Sequence, residues 1–315
     1  MLSNSYHTPV LLAQCVQYLN LQKGGVYVDC TLGGGNHSLA LLQACPSIHI
    51  YGFDQDEEAI RESEQILQPY ADRVTLVRAN FRLLRTELAL RKVKQIDGVL
   101  YDLGVSSRQL DNGERGFSID KDAPLDMRMD RNQDMDAAYA VNNLSEPELK
   151  KIFKEYSEEL HAGRISRAIL KSRAEKPIAT TGDLVRIIES VAGKGTKESL
   201  KTKIRVFQGL RIYVNGELDV LAPSLQDAIN LLSVGGRIVV LSYHSLEDRI
   251  VKNVFRAAAS GCDCPPQAVV CSCTKKQLLK LLTKRPLQAD ATEVGENSRS
   301  RSVRLRAAEK CREEK

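Results

Sequence analysis

Val26-Tyr27-Val28-Asp29-Cys30-Thr31-Leu32-Gly33-Gly34-Gly35-Asn36-His37-Ser38 reads as a β-rich run ending in an acid, a glycine turn, and the start of a helix. Strand, glycine turn and helix in that order can seat an adenosine-containing cofactor at the carboxyl edge of a parallel sheet. Glycine lets the backbone approach a ligand and take positive φ without steric cost. The stretch departs from the dinucleotide fingerprint, because Ser38 stands where its third glycine belongs. That counts against a nicotinamide enzyme. A second acid, Asp54, ends the next β-rich run, where a carboxylate can accept both ribose hydroxyls. A tight structural turn with a surface acid is the alternative.

Outward from this turn, β-rich runs fall at 26–30, 49–53, 74–77 and 96–101, with helical stretches such as 38–44 and 57–68 between them. Pro69 closes the second helix. The alternation predicts an α/β fold with a parallel, doubly wound, Rossmann-like sheet. A fifth strand, 237–242, comes much later, after a helix at 224–232 and the turn Gly235-Gly236. Between the halves the pattern changes. Residues 111–136, rich in Asp, Arg, Gly and Met, read as a long ordered loop. Helices follow from Ser145, where Ser145 and Glu148 form a capping box with Pro147 in the first turn. The next helices are expected at 159–174, 181–191 and 204–214. The predicted organisation is a split sheet domain, 1–110 and 216–315, with a mainly helical insertion at 111–215.

Composition narrows the function classes. The 315 residues are 43% hydrophobic and 27% charged, with no apolar run of membrane-span length. No basic segment followed by an apolar one opens the chain, so a cytoplasmic location without membrane contact is expected. The net charge of +5 is modest, but residues 145–215 hold 15 Lys/Arg against 9 Asp/Glu. From Lys275 onward the balance is 12 against 6. Such local excess suits a polyanion or, equally, a solvated helical surface. Phe81, at the end of the third strand, either packs on an adenine or belongs to the core.

Ile96-Asp97-Gly98-Val99-Leu100-Tyr101-Asp102-Leu103-Gly104 runs from a buried strand into a loop carrying Asp102. A carboxylate there could accept hydrogen bonds from an exocyclic amine, make its nitrogen more tetrahedral, and stabilise the charge that develops on it. Acids after strands also serve as plain helix caps.

Asp102-Leu103-Gly104-Val105-Ser106-Ser107-Arg108-Gln109-Leu110-Asp111, Glu114-Arg115-Gly116-Phe117-Ser118 and Pro124-Leu125-Asp126-Met127-Arg128-Met129-Asp130 closely resemble the bacterial 16S ribosomal RNA cytosine-N4 methyltransferase family. The resemblance extends to His7-Thr8-Pro9-Val10-Leu11-Leu12, to the block 207–218, to Tyr243-His244-Ser245-Leu246-Glu247-Asp248-Arg249, and to Asn297-Ser298-Arg299-Ser300-Arg301-Ser302 with Leu305-Arg306. It implies a Rossmann-like methyltransferase sheet with an inserted helical domain that helps recognise RNA. It also implies S-adenosylmethionine as cofactor, methylation of a cytosine in the decoding centre, and 16S rRNA or the small ribosomal subunit as partner. A homodimer is allowed. Transferred by motif, the cofactor-binding positions are Gly35, Asn36, His37, Asp54, Phe81, Asp102 and Gln109, with Asp102 also catalytic. Asn36 replaces the family's usual glycine, and if it supplies a backbone amide Asn tolerates a left-handed conformation. Lys201-Thr202-Lys203-Ile204-Arg205 replaces the usual His-Pro-Ala-Thr-Arg and keeps its positive charge.

Other residues carry two readings. His244 and Tyr243, just past the fifth strand, could position or stack on a flipped cytosine, or His244 could pass a proton to water. They could equally form a turn that caps the helix beginning near Leu246. Cys262, Cys264, Cys271 and Cys273 offer four sulfurs for a structural zinc, or are simply reduced thiols. Arg164, Arg167, Lys171 and Arg173 on one helix could meet phosphate or only solvent. A nicotinamide oxidoreductase, a non-enzymatic ribosome-assembly factor and a DNA amino-methyltransferase are the rival classes. The last lacks its Asn-Pro-Pro-Tyr signature here.

Overall fold

The computed structural model describes residues 9–262, 264, 273 and 275–312. Its first part alternates regularly, as period-2 runs and amphipathic stretches dictate. The order is α1 (Leu12–Leu19), β1 (Val26–Asp29), α2 (Asn36–Ala44), β2 (His49–Asp54), α3 (Glu57–Leu67), β3 (Val74–Arg78), α4 (Leu84–Leu90) and β4 (Ile96–Asp102). Then come α5 (Ser107–Asp111), α6 (Ala137–Asn143), α7 (Glu146–Glu155), α8 (Ala162–Glu175), α9 (Thr181–Ala192) and α10 (Lys197–Asn215). The chain returns through α11 (Glu217–Leu231), β5 (Leu232–Ser242), α12 (Ser245–Ala259), β6 (Leu279–Leu281), α13 (Ala291–Glu296) and β7 (Arg304–Lys310).

The strands form one sheet in the order β3-β2-β1-β4-β5-β7-β6. β1 to β5 are parallel, while β7 runs antiparallel to both β5 and β6. The order reverses between β1 and β4, where open α/β sheets bind ligands beyond the strands' carboxyl ends. Register brings those ends level: Asp29 lies beside Gly52 and Leu100, and Asp102 beside Leu241. Successive side chains of a strand face opposite ways. Val99 and Tyr101 therefore join a core with Phe53, Leu225 and Phe255, while Leu100 joins one with Tyr27, Ile50 and Leu41.

The chain divides into two compact units, one reaching Gly104 and resuming at Leu218, the other Val105–Glu217. The second unit has its own core around Phe153, Ile165, Leu184 and Leu210. Several elements differ from expectation. β5 starts at Leu232, because Gly235 (φ 86°) and Gly236 form an irregularity inside the strand, not a turn before it. α10 starts at Lys197, where the Thr196 side chain accepts from Ser199 N, so the helix takes in the basic run ahead of Ile204. β6 and β7 were not foreseen. Arg304-Leu305-Arg306-Ala307-Ala308-Glu309-Lys310 looks too charged for a buried strand, yet Arg306 is bidentate to Asp248 and Lys310 Nζ donates to Ile229 O at 2.6 Å.

Candidate active site

The turn after β1 is held by its own side chains. Buried Asp29 accepts from Thr31 N at 3.2 Å and from Ser38 Oγ at 2.8 Å. The serine that replaces the third glycine thus ties α2 to the strand end through its hydroxyl. Burial pushes the Asp29 carboxyl up, while His37, Ser38 and Thr31 pull it back. Gly33 (φ 51°) and Gly35 (φ 76°) carry the positive-φ steps. A Cβ at Gly35 would lie 3.1 Å from Ser63 Oγ, which itself donates to Gly33 O at 2.7 Å. Asn36 opens α2 directly after this left-handed Gly35. It is not among the positive-φ residues, so the expectation of a left-handed Asn is corrected: the glycine before it does that work.

Asp54, half-buried at the end of β2, accepts from Gly33 N at 2.9 Å and from Asp56 N at 2.8 Å. Burial raises its carboxyl to about 6 despite those two bonds. Each oxygen takes one backbone donor and retains acceptor capacity for another. Phe81 follows β3 in a short 3₁₀ turn, half-buried, its ring edge-on to Tyr101 at 5.6 Å.

Asp102 ends β4 at the centre of the carboxyl edge. Its backbone N–H donates to Thr31 Oγ1 at 2.6 Å, and Tyr243 OH donates to Oδ1 at 2.7 Å. Oδ2 faces His37 Nδ1 at 3.6 Å, while His37 Nε2 lies 3.1 Å from Val10 O. The carboxylate side chain remains 25% exposed, enough for a ligand to reach it. Burial raises its proton affinity, opposed by His37 and by the Tyr243 hydrogen bond. His37, Asp102 and Tyr243 are therefore brought together.

His244 sits differently. It is the N-cap of α12: Nδ1 accepts from Glu247 N at 3.4 Å, and Glu247 Oε2 accepts from the backbone of both Tyr243 and His244. Its Nε2 lies 3.0 Å from Glu247 Oε1. Gln109 lies in the second unit, where it closes a capping box with Ser106 at the start of α5. Sequence reasoning passed over Thr31 and the hydroxyl of Ser38. The available signal was an Asp followed at two and nine residues by hydroxyl side chains.

In the second unit the motif residues hold their own loop. Arg115, 1% exposed, donates to the carbonyls of Arg128 and Met129. Arg128 pairs with both oxygens of Asp126 at 2.7 and 3.0 Å. Asn215 accepts from Met129 N and donates to Met127 O, each at 2.8 Å. Among the basic candidates, Arg173 donates to the carbonyls of Val141 and Leu144 at the end of α6, Lys203 pairs with Glu189, and Arg205 faces Glu159. Lys150, Lys154, Lys171 and Lys201 are exposed. Cys262, Cys264 and Cys273 have their sulfurs within 4.8 Å of one another, whereas Cys271, like His7 and Thr8, lies outside the described residues. No described helix is long and apolar enough to cross a membrane.

Comparison with known proteins gives one consistent answer. Residues 4–311 match the model of the MraW methylase family. A relative from Syntrophus aciditrophicus, described as ribosomal RNA small subunit methyltransferase H, is 46% identical over 97% of this chain and 98% of its own. Relatives of the same description from Carboxydothermus hydrogenoformans (96% of this chain, 97% of its own) and Geotalea uraniireducens (98% and 100%) are each 48% identical.

Proposed function

The chain belongs to the MraW methylase family, and from that premise we propose that it methylates the exocyclic N4 amine of a cytosine in the decoding centre of 16S ribosomal RNA, with S-adenosylmethionine as donor. The observation that carries this reading is Asp102: a carboxylate of raised proton affinity, oriented by Tyr243, still reachable, one strand from the glycine turn.

The residues fit the cofactor. Gly33 and Gly35 make a turn that side chains could not follow, and Asp54 keeps acceptor capacity where ribose hydroxyls belong. Asp29 and Asp102 put negative charge at the strand ends, which favours a cationic donor over its neutral product. When bound, S-adenosylmethionine supplies an electrophilic methyl on a sulfonium that leaves as a neutral thioether.

Asp102 accepts a hydrogen bond from the amine, drawing its lone pair out of the ring's π-system and toward the methyl. As the nitrogen takes up the methyl, the carboxylate would stabilise the positive charge that grows on it. The surplus amine proton then passes to Asp102 or to water. Tyr243 is a positioning residue, because its hydroxyl fixes one carboxylate oxygen and leaves the other for the acceptor. Thr31 fixes the backbone of Asp102 from behind.

RNA recognition by the second unit belongs to the same proposal, supported by its excess of Lys and Arg and by the exposed lysines of α7, α8 and α10. The reading puts the enzyme in the cytoplasm beside its ribosomal substrate. It is tested by tritiated methyl transfer to unmethylated small subunits, naked rRNA and duplex DNA, with the modified nucleoside identified by mass spectrometry. N4-methylcytidine from the ribosomal substrates is the expected product, and label confined to DNA would overturn the substrate. An assembly factor without enzymatic activity would show full cellular function with Asp102→Ala.

A further inference from the structure

We propose that Cys262, Cys264 and Cys273 bind a structural zinc ion at the base of the connection between α12 and β6. The two ends of that connection are already held together: Leu278 N donates to Ala258 O at 2.8 Å, and a Cβ added at Gly261 would lie 3.8 Å from Gln277 Cβ. Just beyond this closure the three sulfurs converge to within 4.8 Å of one another. Zinc–thiolate bonds of about 2.3 Å in a tetrahedron set neighbouring sulfurs roughly 3.8 Å apart, so closing by about 1 Å supplies three corners of the tetrahedron and leaves the fourth to water or a further ligand. Cys264 N donates to Cys262 Sγ at 3.3 Å, a bond that stabilises negative charge on sulfur, and Ser260 Oγ braces the same turn against Cys262 O at 2.7 Å.

The buried cysteines look different. Cys15, Cys30 and Cys45 sit singly among apolar side chains, where the thiol is a small hydrophobe. No disulfide joins Cys262, Cys264 and Cys273, and their sulfurs gather at the protein surface. Three soft sulfur ligands select zinc over magnesium or calcium. Lys275 and Lys276 follow Cys273 two and three residues on, and cations near thiols favour the thiolate that a metal needs. Lys275 and Lys276, with Lys280 and Arg312, line a cationic cavity of about 590 Å³.

The test is the metal content of the full chain, purified without chelator from zinc-supplemented cells and dialysed against metal-free buffer. One zinc per chain is expected. Cys262→Ser, Cys264→Ser and Cys273→Ser should each lose at least half of it, while Cys311→Ser keeps it. Cobalt substituted for zinc should show the thiolate charge-transfer band and intense visible bands of a tetrahedral sulfur site. Circular dichroism establishes that each variant is folded. A folded wild-type chain that neither retains nor takes up zinc would overturn the proposal, as would a brown iron-containing chain. Zinc content unaffected by removing all three cysteines would do the same.

Discussion

The glycine turn after β1 and the 111–136 loop of the second unit are both dense in polar motif residues, yet their side chains serve opposite ends. In the loop the polar groups are consumed internally: Arg115 and Asn215 bind backbone carbonyls and amides, and Arg128 closes on Asp126. Around the turn, the carboxylates of Asp54 and Asp102 are held by neighbours but keep unspent oxygen lone pairs at the sheet's carboxyl edge. Sequence similarity alone ranks the two regions equally. Geometry separates a group whose bonding is spent on the fold from one that keeps acceptor capacity.

Substitutions that cut catalysis without touching stability, and the reverse, sharpen this contrast. The largest effect is expected at Asp102→Ala: a loss of methyl transfer of about 10³-fold, near 4 kcal/mol of transition-state stabilisation. Single-turnover assays would record it, with S-adenosylhomocysteine affinity in calorimetry changed much less. A loss confined to binding would assign Asp102 to the cofactor instead of the amine. Gly116→Ala is the counterpart in the loop. Gly116 has φ 73°, and an added Cβ would lie 2.5 Å from Pro124 O and 2.7 Å from Asp126 N. Backbone cannot yield as a flexible side chain would, so a stability loss of roughly 2–4 kcal/mol is expected in denaturant melts. Unchanged stability would mean that the loop is not held as described.

Asp54→Asn comes next, with S-adenosylhomocysteine binding weakened about 10- to 100-fold. The pH dependence of the unsubstituted protein carries the same information. On the proposed reading ribose hydroxyls would donate to the ionised carboxylate, and this carboxyl is raised to about 6. Affinity should therefore be flat above that pH and fall about tenfold per unit below it, as protonation competes with binding. A flat profile down to pH 5 would remove Asp54 from the cofactor site. Tyr243→Phe should slow methyl transfer about tenfold. The lost hydrogen bond favoured the Asp102 carboxylate, so its proton affinity rises and the acid limb of the rate profile moves to higher pH. A rate loss without that movement would make Tyr243 a mere packing residue.

The sheet's first four strands and the inserted helices α7, α8 and α9 were legible because hydrophobic period and capping residues are local signals. Ser145 and Glu148 do form the capping box, and α3 does stop ahead of Pro69. β7 was illegible because its charges are buried by partners far away in sequence: Arg306 meets Asp248, 58 residues earlier, and Lys310 meets Ile229, 81 earlier. Within the site, glycines and strand-end acids could be read from spacing. The partnership of Tyr243 with Asp102 spans 141 residues, and no single-sequence pattern encodes it. The same limit made Arg173 look like a phosphate ligand when it closes the end of α6.

His244 is where the contrast between structural and ligand-facing side chains is finest, since it stands next to Tyr243 in sequence. Its Nδ1 is spent on α12, accepting from Glu247 N at 3.4 Å, while Nε2 lies 3.0 Å from Glu247 Oε1. Removing a cap costs about 1 kcal/mol or less when the bond is as long as 3.4 Å. His244→Ala should therefore lower stability by that small amount and leave the methyl-transfer rate within about twofold, while His244→Asn, an able cap, should restore stability. A large rate loss in the alanine variant that asparagine does not rescue would place the imidazole in the chemistry. The boundary between cap and catalyst would then fall one residue further along the chain than the hydrogen bonds put it.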